Sequence, residues 1–209
     1  MKIGLPISLA VLVEFIAFNS IAIIMGRVSG VYAAAQNLVC TLTTVSFMVP
    51  LAISNAIAVK VGFANGAENF KDLKRYSFVG VVMAVGFMIC SSVIFSSFPH
   101  FLVGLFTKDL SLIKISVPVL YILSVFQIFD GLQVALAGIF KGIKRTNIVL
   151  IANFIAYWLI SIPLGYTMAF HYGLNLKGFW LGLVTAAIIL CIIMVSILLK
   201  YFVEMQQKK

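Results

Sequence analysis

Six apolar runs, separated by short polar connections, constrain this chain more than any other feature. Each run meets the roughly 20 residues that a helix needs to cross a hydrocarbon layer about 30 Å thick. Because 63% of the residues are hydrophobic and 10% are charged, too little polar surface exists to wrap a soluble core. The sequence therefore predicts an all-α integral membrane protein with one domain at 1–203 and a polar tail at 204–209. The spans are predicted at 5–25, 33–59, 77–98, 115–140, 147–170 and 178–202.

The distribution of basic residues predicts the orientation of these spans. Lysine and arginine concentrate on the cytoplasmic side of membrane proteins, and six spans place both termini on one side. Both termini are therefore predicted to be cytoplasmic, in a multi-pass protein of the cell membrane. Eleven basic residues lie on the side of the amino terminus, namely Lys2, Lys60, Lys71, Lys74, Arg75, Lys141, Lys144, Arg145, Lys200, Lys208 and Lys209, and four lie on the other side, namely Arg27, Lys108, Lys114 and Lys177.

The net charge of +9 is explained by the membrane topology, because the basic residues lie between spans. No soluble domain exists that could bind nucleic acid.

Cys40, Cys90 and Cys191 lie inside apolar runs without pairing or metal-ligand spacing. No nucleophile with a base and no phosphate-binding glycine loop occurs. We therefore expect neither an enzyme nor a bound cofactor.

Three local patterns make further predictions about the scaffold. Pro50 is expected to kink the second span, because proline removes a backbone donor and clashes within a helix. Residues 70–75 are typical of either a short interfacial helix or a solvated basic loop. The last span is uniformly apolar and is expected to face lipid.

Two acidic residues lie deep inside apolar runs. Glu14 is near the middle of the first span and Asp130 is inside the fourth. A charge at the centre of a bilayer costs roughly 2.5–3.5 kcal/mol or more, so such a residue normally faces the helix bundle or a water-filled cavity. We expect both carboxylates to share one cavity, with inert hydrogen bonding between helices as the alternative.

Polar residues on other spans are the candidates to line this cavity. Gln127 and Gln133 flank Asp130 at intervals of three residues, and the fifth span places Asn153 and Tyr157 on one helical face. The second span adds a polar face before Pro50, formed by Gln36, Asn37, Cys40, Thr41 and Thr44. For these neutral residues, helix packing is the competing interpretation.

Membrane carboxylates suit the coupling of transport to a cation, because a buried acid can be neutralised by a proton or by Na⁺. Carboxylate, amide and hydroxyl oxygens are suitable ligands for a hard cation. Glu14 and Asp130 are therefore the predicted cation-coupling residues, and they would be the metal ligands if the ion is Na⁺. Phe15, Phe18, Phe126 and Phe129 flank the acids and could contact an aromatic or cationic substrate, although packing is the simpler interpretation.

Several stretches resemble the multidrug and toxic compound extrusion (MATE) family, and specifically its carboxy-terminal six-helix lobe. The opening GLPISLAVLVEFIAF looks like the first helix of that lobe, with its membrane-embedded glutamate at Glu14. PLAISNAIAVKVGFANGAENFKDLKRY looks like the second helix and the loop that follows. The most similar stretch, FDGLQVALAGIFKGIKRTNIVLIANFIAYWLISIPLGY with GLNLKGFWLGL, contains Asp130, the Pro163 helix and the entry to the last span.

The resemblance implies secondary efflux of small cationic or amphipathic compounds by alternating access, driven by Na⁺ or H⁺. It also implies a role in cation binding for Glu14 and Asp130. Members of the family normally have two such lobes, so the expected partner is a second lobe, either in a parallel homodimer or as a separately encoded amino-terminal half.

Two other functions compete with efflux. A lipid-precursor flippase of the same superfamily would favour basic residues inside the cavity, and no lysine or arginine lies near the middle of a span. A non-transporting membrane scaffold, or a fragment of a split transporter, is the alternative of a different class.

Overall fold

Seven helices account for almost all of the residues that the structure describes. A computed structural model of the chain describes residues 4–207. Lys2, Lys208 and Lys209, which contributed to the predicted orientation, lie outside this range, as does the end of the predicted tail. The helices are α1 (Gly4–Val28), α2 (Gly30–Gly66), α3 (Phe70–Ser97), α4 (Pro99–Gly104), α5 (Leu110–Gly142), α6 (Thr146–His171) and α7 (Leu176–Gln207).

Six of these helices, all except the short α4, are long and apolar enough to cross a membrane. The prediction of an all-α membrane protein with six spans is therefore confirmed. The helices extend beyond most of the predicted spans, because helical hydrogen bonding does not stop where the hydrocarbon ends. The connection between α1 and α2 is reduced to Ser29, whose side chain accepts a hydrogen bond from the Val31 amide and caps α2.

α5 lies at the centre of the bundle, where small residues let neighbouring helices approach it closely. The Ser54 hydroxyl of α2 donates a hydrogen bond of 2.7 Å to the Val134 carbonyl of α5. A Cβ atom on Gly138 would lie 2.5 Å from the Ser54 carbonyl oxygen, and one on Gly131 would lie 2.6 Å from Met88 of α3. Glycines are favoured at such contacts between membrane helices, because packing rather than burial from water holds the helices together.

The prediction that the last helix faces lipid is wrong. α7 buries one face against α5 and α6, and Trp180 is among the largest fully buried side chains of the protein. Gly182 permits the close approach, because a Cβ atom there would lie 2.8 Å from the Gly165 nitrogen of α6. Uniform apolarity could not identify the exposed face, since lipid tails and protein interior are equally apolar.

One other local prediction also differs from the structure. Residues 70–75 form neither a separate interfacial helix nor a loop; they are the first turns of α3, which Asn69 caps by accepting a hydrogen bond from the Asp72 amide. α2 continues as a helix on both sides of Pro50. In α6, by contrast, the segments Ile155–Ser161 and Thr167–His171 are π-helical and flank the turn that contains Pro163.

We predict that Gly138→Ala destabilises the bundle by about 1–3 kcal/mol, the usual cost of forcing an extra carbon into a packed core. The new methyl group would collide with the backbone of α2, which cannot move aside as a flexible side chain can. Thermal unfolding of the purified chain in detergent measures the effect. Gly86→Ala is the matched control, because nothing lies within 4 Å of a Cβ atom at that exposed position of α3.

Candidate functional site

A cavity of about 450 Å³ lies between α1 and α2, and both membrane acids reach it. Asp130 contributes from α5 and is only 2% exposed. Phe15 and Met48 at the rim are exposed, so the cavity opens at the surface of the six-helix unit. The lining residues are Val11, Glu14, Phe15, Phe18, Asn19 and Ala22 of α1, Asn37, Cys40, Thr43, Thr44, Phe47, Met48 and Leu51 of α2, and Phe126 and Asp130 of α5.

The arrangement follows from the helices that carry the two acids. Gly131 packs against α3, and Asp130, about 100° around the axis of α5 from Gly131, lines the cavity. Glu14 lies in α1, the least buried of the six long helices. Both carboxylates line the same cavity. Two negative charges that share a poorly polarisable cavity repel each other, which favours the binding of a cation between them.

Glu14 is also tied to α6 through Tyr157. The Tyr157 hydroxyl lies 3.1 Å from Glu14 Oε1, to which it can donate, and 3.2 Å from Gln133 Oε1. The Gln133 Nε2 amide donates to the same hydroxyl oxygen at 3.1 Å. The next residue of α6, Trp158, donates from its indole nitrogen to the carbonyl of Val13, the residue before Glu14, at 3.2 Å. Consecutive residues of α6 therefore hold consecutive residues of α1.

Of the other candidate residues, only one lies at the cavity. Asn37 lines the cavity, whereas Gln127, Gln133, Asn153 and Tyr157 are buried between helices and form no part of its wall. The side chain of Gln127 and the Asn153 side-chain oxygen have no hydrogen-bond partner among the described residues. Tyr157 lies in the π-helical segment Ile155–Ser161 and contacts Glu14 without lining the cavity.

Two aromatic residues of the cavity wall, Phe18 and Phe126, pack against Trp180, which does not itself line the cavity. The Trp180 ring of α7 packs edge-on against Phe18 and Phe126, with centroid distances of 6.0 and 5.7 Å. Its indole nitrogen donates a 2.9 Å hydrogen bond to the Gln36 side-chain oxygen. The sequence placed Gln36 on the polar face of α2 but gave no role to Trp180, because a single tryptophan near the start of an apolar span carries no positional signal.

Thr43 and Asn19 are further lining residues that the sequence patterns missed. Asn19 lies five residues after Glu14 and is followed by Ser20. Among residues 4–207, no group of three or more His, Cys, Asp and Glu side chains is placed to hold a metal ion. A cation bound at the two carboxylates would therefore take its other ligands from neutral oxygens, such as those of Asn37, Thr43 and Thr44, or from water.

A family model and two relatives match most of this chain in sequence. A family model described as MatE matches residues 6–167. A probable multidrug resistance protein NorM from Agrobacterium fabrum is 34% identical over 201 residues, which are 92% of this chain and 43% of that protein. A protein of the same name from Bacillus subtilis is 32% identical over 184 residues, or 88% of this chain and 41% of that protein.

Solved structures show the same fold. The crystal structure of the eukaryotic MATE transporter AtDTX14 superposes with a TM-score of 0.87 at 20% identity, over 99% of this chain and 48% of that one. A crystal structure of MATE in the bent conformation gives 0.90 at 21% identity, over 99% and 46%. The chain thus spans less than half the length of the relatives and structures it matches.

We predict that Trp180→Phe destabilises the fold by about 1–3 kcal/mol, because it leaves the buried Gln36 oxygen without its donor. The measurement is the thermal unfolding midpoint in detergent. Trp158→Phe serves as the comparison, since the Val13 carbonyl belongs to the backbone of α1 and lies in a less buried place. Equal losses in the two variants would argue against a special role for the buried amide.

Proposed function

Because the chain belongs to the MATE family, we propose that it forms a six-helix lobe of a cation-coupled antiporter that exports cationic or amphipathic compounds. One observation carries the proposal, namely that both acids of the membrane interior line a single cavity. In this mechanism the cavity binds Na⁺ or H⁺ at Glu14 and Asp130 when it faces outward. It takes up the compound when it faces inward, and rocking of the lobes alternates the access.

The interacting charges of the two acids support the coupling. A bound cation relieves the repulsion between the carboxylates, and so does an organic cation. Because the same charges attract both, binding of one weakens binding of the other, which is the requirement for exchange. Either coupling ion suits the site, since a carboxylate accepts a proton and also ligates Na⁺.

The cavity walls support an aromatic or amphipathic cation as the exported compound. Phe15, Phe18, Phe47 and Phe126 offer ring faces and edges, and aromatic faces attract organic cations. The volume lies within the range of about 300–1,000 Å³ that drug-sized ligands occupy. No lysine or arginine is among the lining residues, which disfavours the phosphate-bearing substrate of a lipid-precursor flippase. Two relatives bear the name of multidrug resistance proteins.

The surface beside the cavity supports a second lobe as partner. α2 exposes a stripe of polar side chains, Asn37, Thr41, Thr44 and Asn55, on one helical face. Side-chain amides are costly in contact with lipid, so this face is suited to water or to another protein. We therefore place the second lobe across the cavity from α1 and α2, as a second parallel copy of this chain or a separate amino-terminal half. The excess of basic residues on one side orients both termini toward the cytoplasm.

We predict that Asp130→Asn and Glu14→Gln each reduce gradient-driven export of a fluorescent cationic dye to background. Either change removes one of the two charges that attract the cation while keeping the size of the side chain. Cells or vesicles with an imposed Na⁺ or proton gradient provide the measurement, with membrane insertion checked for every variant. Glu204→Gln is the control, because Glu204 is exposed near the end of α7.

Full export in the Asp130→Asn variant would contradict the coupling mechanism. Background export by well-inserted wild-type chain, measured without any other lobe, would favour a fragment of a split transporter or a scaffold over a self-pairing carrier.

We also predict that the polar face of α2 contacts the partner. In a chain whose native cysteines have been replaced, Thr41→Cys should form crosslinked dimers with a thiol-specific bifunctional reagent in native membranes. Phe78→Cys on the exposed apolar face of α3 should remain monomeric, because we expect lipid there. Crosslinks that form equally at both positions, or at neither, would contradict a parallel homodimer through α2.

A further inference from the structure

A second, smaller cavity of about 260 Å³ lies at the end of the bundle where α1 ends. Three helices begin around it, and its lining residues are Tyr32 of α2, Lys114 and Ile115 of α5, and residues 173–177, which lead into α7. The volume is below the range of about 300–1,000 Å³ that drug-sized ligands occupy, so this cavity suits a small chemical group. The charge of its walls indicates which kind of group.

Two lysines from different helices line this cavity, and none of its lining residues is acidic. Lys114 and Lys177 are both exposed, and within residues 4–207 neither side chain forms an ion pair or a hydrogen bond. Asp109 is the one acidic residue in the connections at this end of the bundle. Its carboxylate accepts a 2.8 Å hydrogen bond from the Ser111 amide at the start of α5. The two positive charges are therefore available to an anion.

The meeting of two lysines at this end of the bundle is itself unexpected. Lysine and arginine are scarce on the non-cytoplasmic side of membrane proteins, which is the side predicted for this end. Four of the 15 basic residues of the chain lie here, namely Arg27, Lys108, Lys114 and Lys177. Half of these four line one cavity, although like charges repel each other. Membrane topology does not explain that pairing, whereas a bound anion would offset the repulsion.

The position of the cavity favours phosphate among the possible anions. Three spans begin here, and the ends of membrane helices reach the layer of lipid headgroups. Phospholipid phosphates are abundant in that layer, and basic pockets between membrane helices bind anionic headgroups. Lysine binds phosphate as a point charge with three donors. Tyr32 can add a neutral donor, and tyrosine is enriched at this depth of the membrane.

The loop that joins α6 to α7 holds one lysine in place without a ligand. The Asn175 amide donates a hydrogen bond of 3.1 Å to the Ala169 carbonyl, and Asn175 has a positive φ of 49°. The next residue, Leu176, is only 1% exposed and anchors the start of α7 in the bundle. The backbone of Lys177 is therefore positioned by the fold.

We propose that Tyr32, Lys114 and Lys177 form a phosphate-binding site, occupied in the membrane by the headgroup of an anionic phospholipid. Binding is reversible and electrostatic, and no covalent bond forms. The bound headgroup connects the start of α2 with α5 and α7. This site is separate from the cavity that contains Glu14 and Asp130, so the proposal does not depend on the proposed transport function.

Thermal unfolding of the full chain in a neutral detergent tests the site, because a ligand that binds only the folded state raises the unfolding midpoint. The probes are phosphatidylglycerol, phosphatidylcholine with the same acyl chains, and inorganic phosphate. We expect phosphatidylglycerol to raise the midpoint of the wild type more than phosphatidylcholine does. The double variant Lys114→Gln with Lys177→Gln should need about tenfold more phosphatidylglycerol for half of the maximal shift, because two charged contacts are lost.

The matched control replaces the other two basic residues at this end, Arg27→Gln with Lys108→Gln. Both are exposed and neither lines the cavity, so the control loses the same charge outside the site. It should respond to phosphatidylglycerol as the wild type does. Equal responses of the two double variants overturn the site, since the lipid would then be attracted to positive charge in general.

The other probes identify the source of the phosphate. A lysine-dependent shift with inorganic phosphate, but not with the lipid, keeps the phosphate site and overturns the lipid as its occupant. The absence of a shift with either probe overturns the site.

Salt dependence tests the site on the wild type alone. Because about 1 M NaCl shortens the screening length to roughly 3 Å, it should diminish the shift caused by phosphatidylglycerol and leave that of phosphatidylcholine unchanged. A phosphatidylglycerol shift that resists salt overturns the site, since the acyl chains would then be responsible.

Discussion

The close contact of α5 with α2 and α3 is the constraint on which the rest of the structure depends. A lipid environment supplies little hydrophobic driving force between helices, so their association relies on dispersion contacts and a few hydrogen bonds at short range. Gly131 and Gly138 let α3 and α2 approach the same stretch of α5. The hydrogen bond from Ser54 to the Val134 carbonyl fixes the position of α2 along the axis of α5. That contact determines the direction in which Asp130 points. A shift of α5 by one residue would turn the carboxylate away from the cavity.

α1 is held in a different way. Few of its residues are buried, and two adjacent side-chain hydrogen bonds from α6, at Glu14 and Val13, hold its middle. The π-helical turn of α6 aligns Tyr157 and Trp158 with these two positions. Insertions of this kind into α-helices are frequent at functional sites, because the change of register directs side chains that a regular helix would not align. A rigid core thus presents one acid, and a loosely attached helix presents the other.

The sequence predicted the number of spans and both membrane acids, because length and the cost of a buried charge are properties that each segment carries by itself. Asn37 was also identified, since polar residues at helical spacing mark one face of α2. The role of Tyr157 was not predicted, because ideal helical periodicity does not anticipate a π-helical turn. Trp180 and the burial of α7 were missed for a related reason. In a membrane protein, apolar residues face either lipid or protein, and only the contacts of the folded chain distinguish the two.

Ser29 is the whole connection between α1 and α2, the two helices that enclose most of the cavity. With a single residue between them, their neighbouring ends cannot separate, and neither helix can slide far along the other. A displacement of α1 away from α2 is therefore geometrically a rotation about this corner, and it grows with distance from Ser29. Glu14 is 15 positions from Ser29. A tilt of α1 by a few degrees about Ser29 therefore opens a wedge-shaped gap between α1 and α2, and this gap is wider toward the start of the chain.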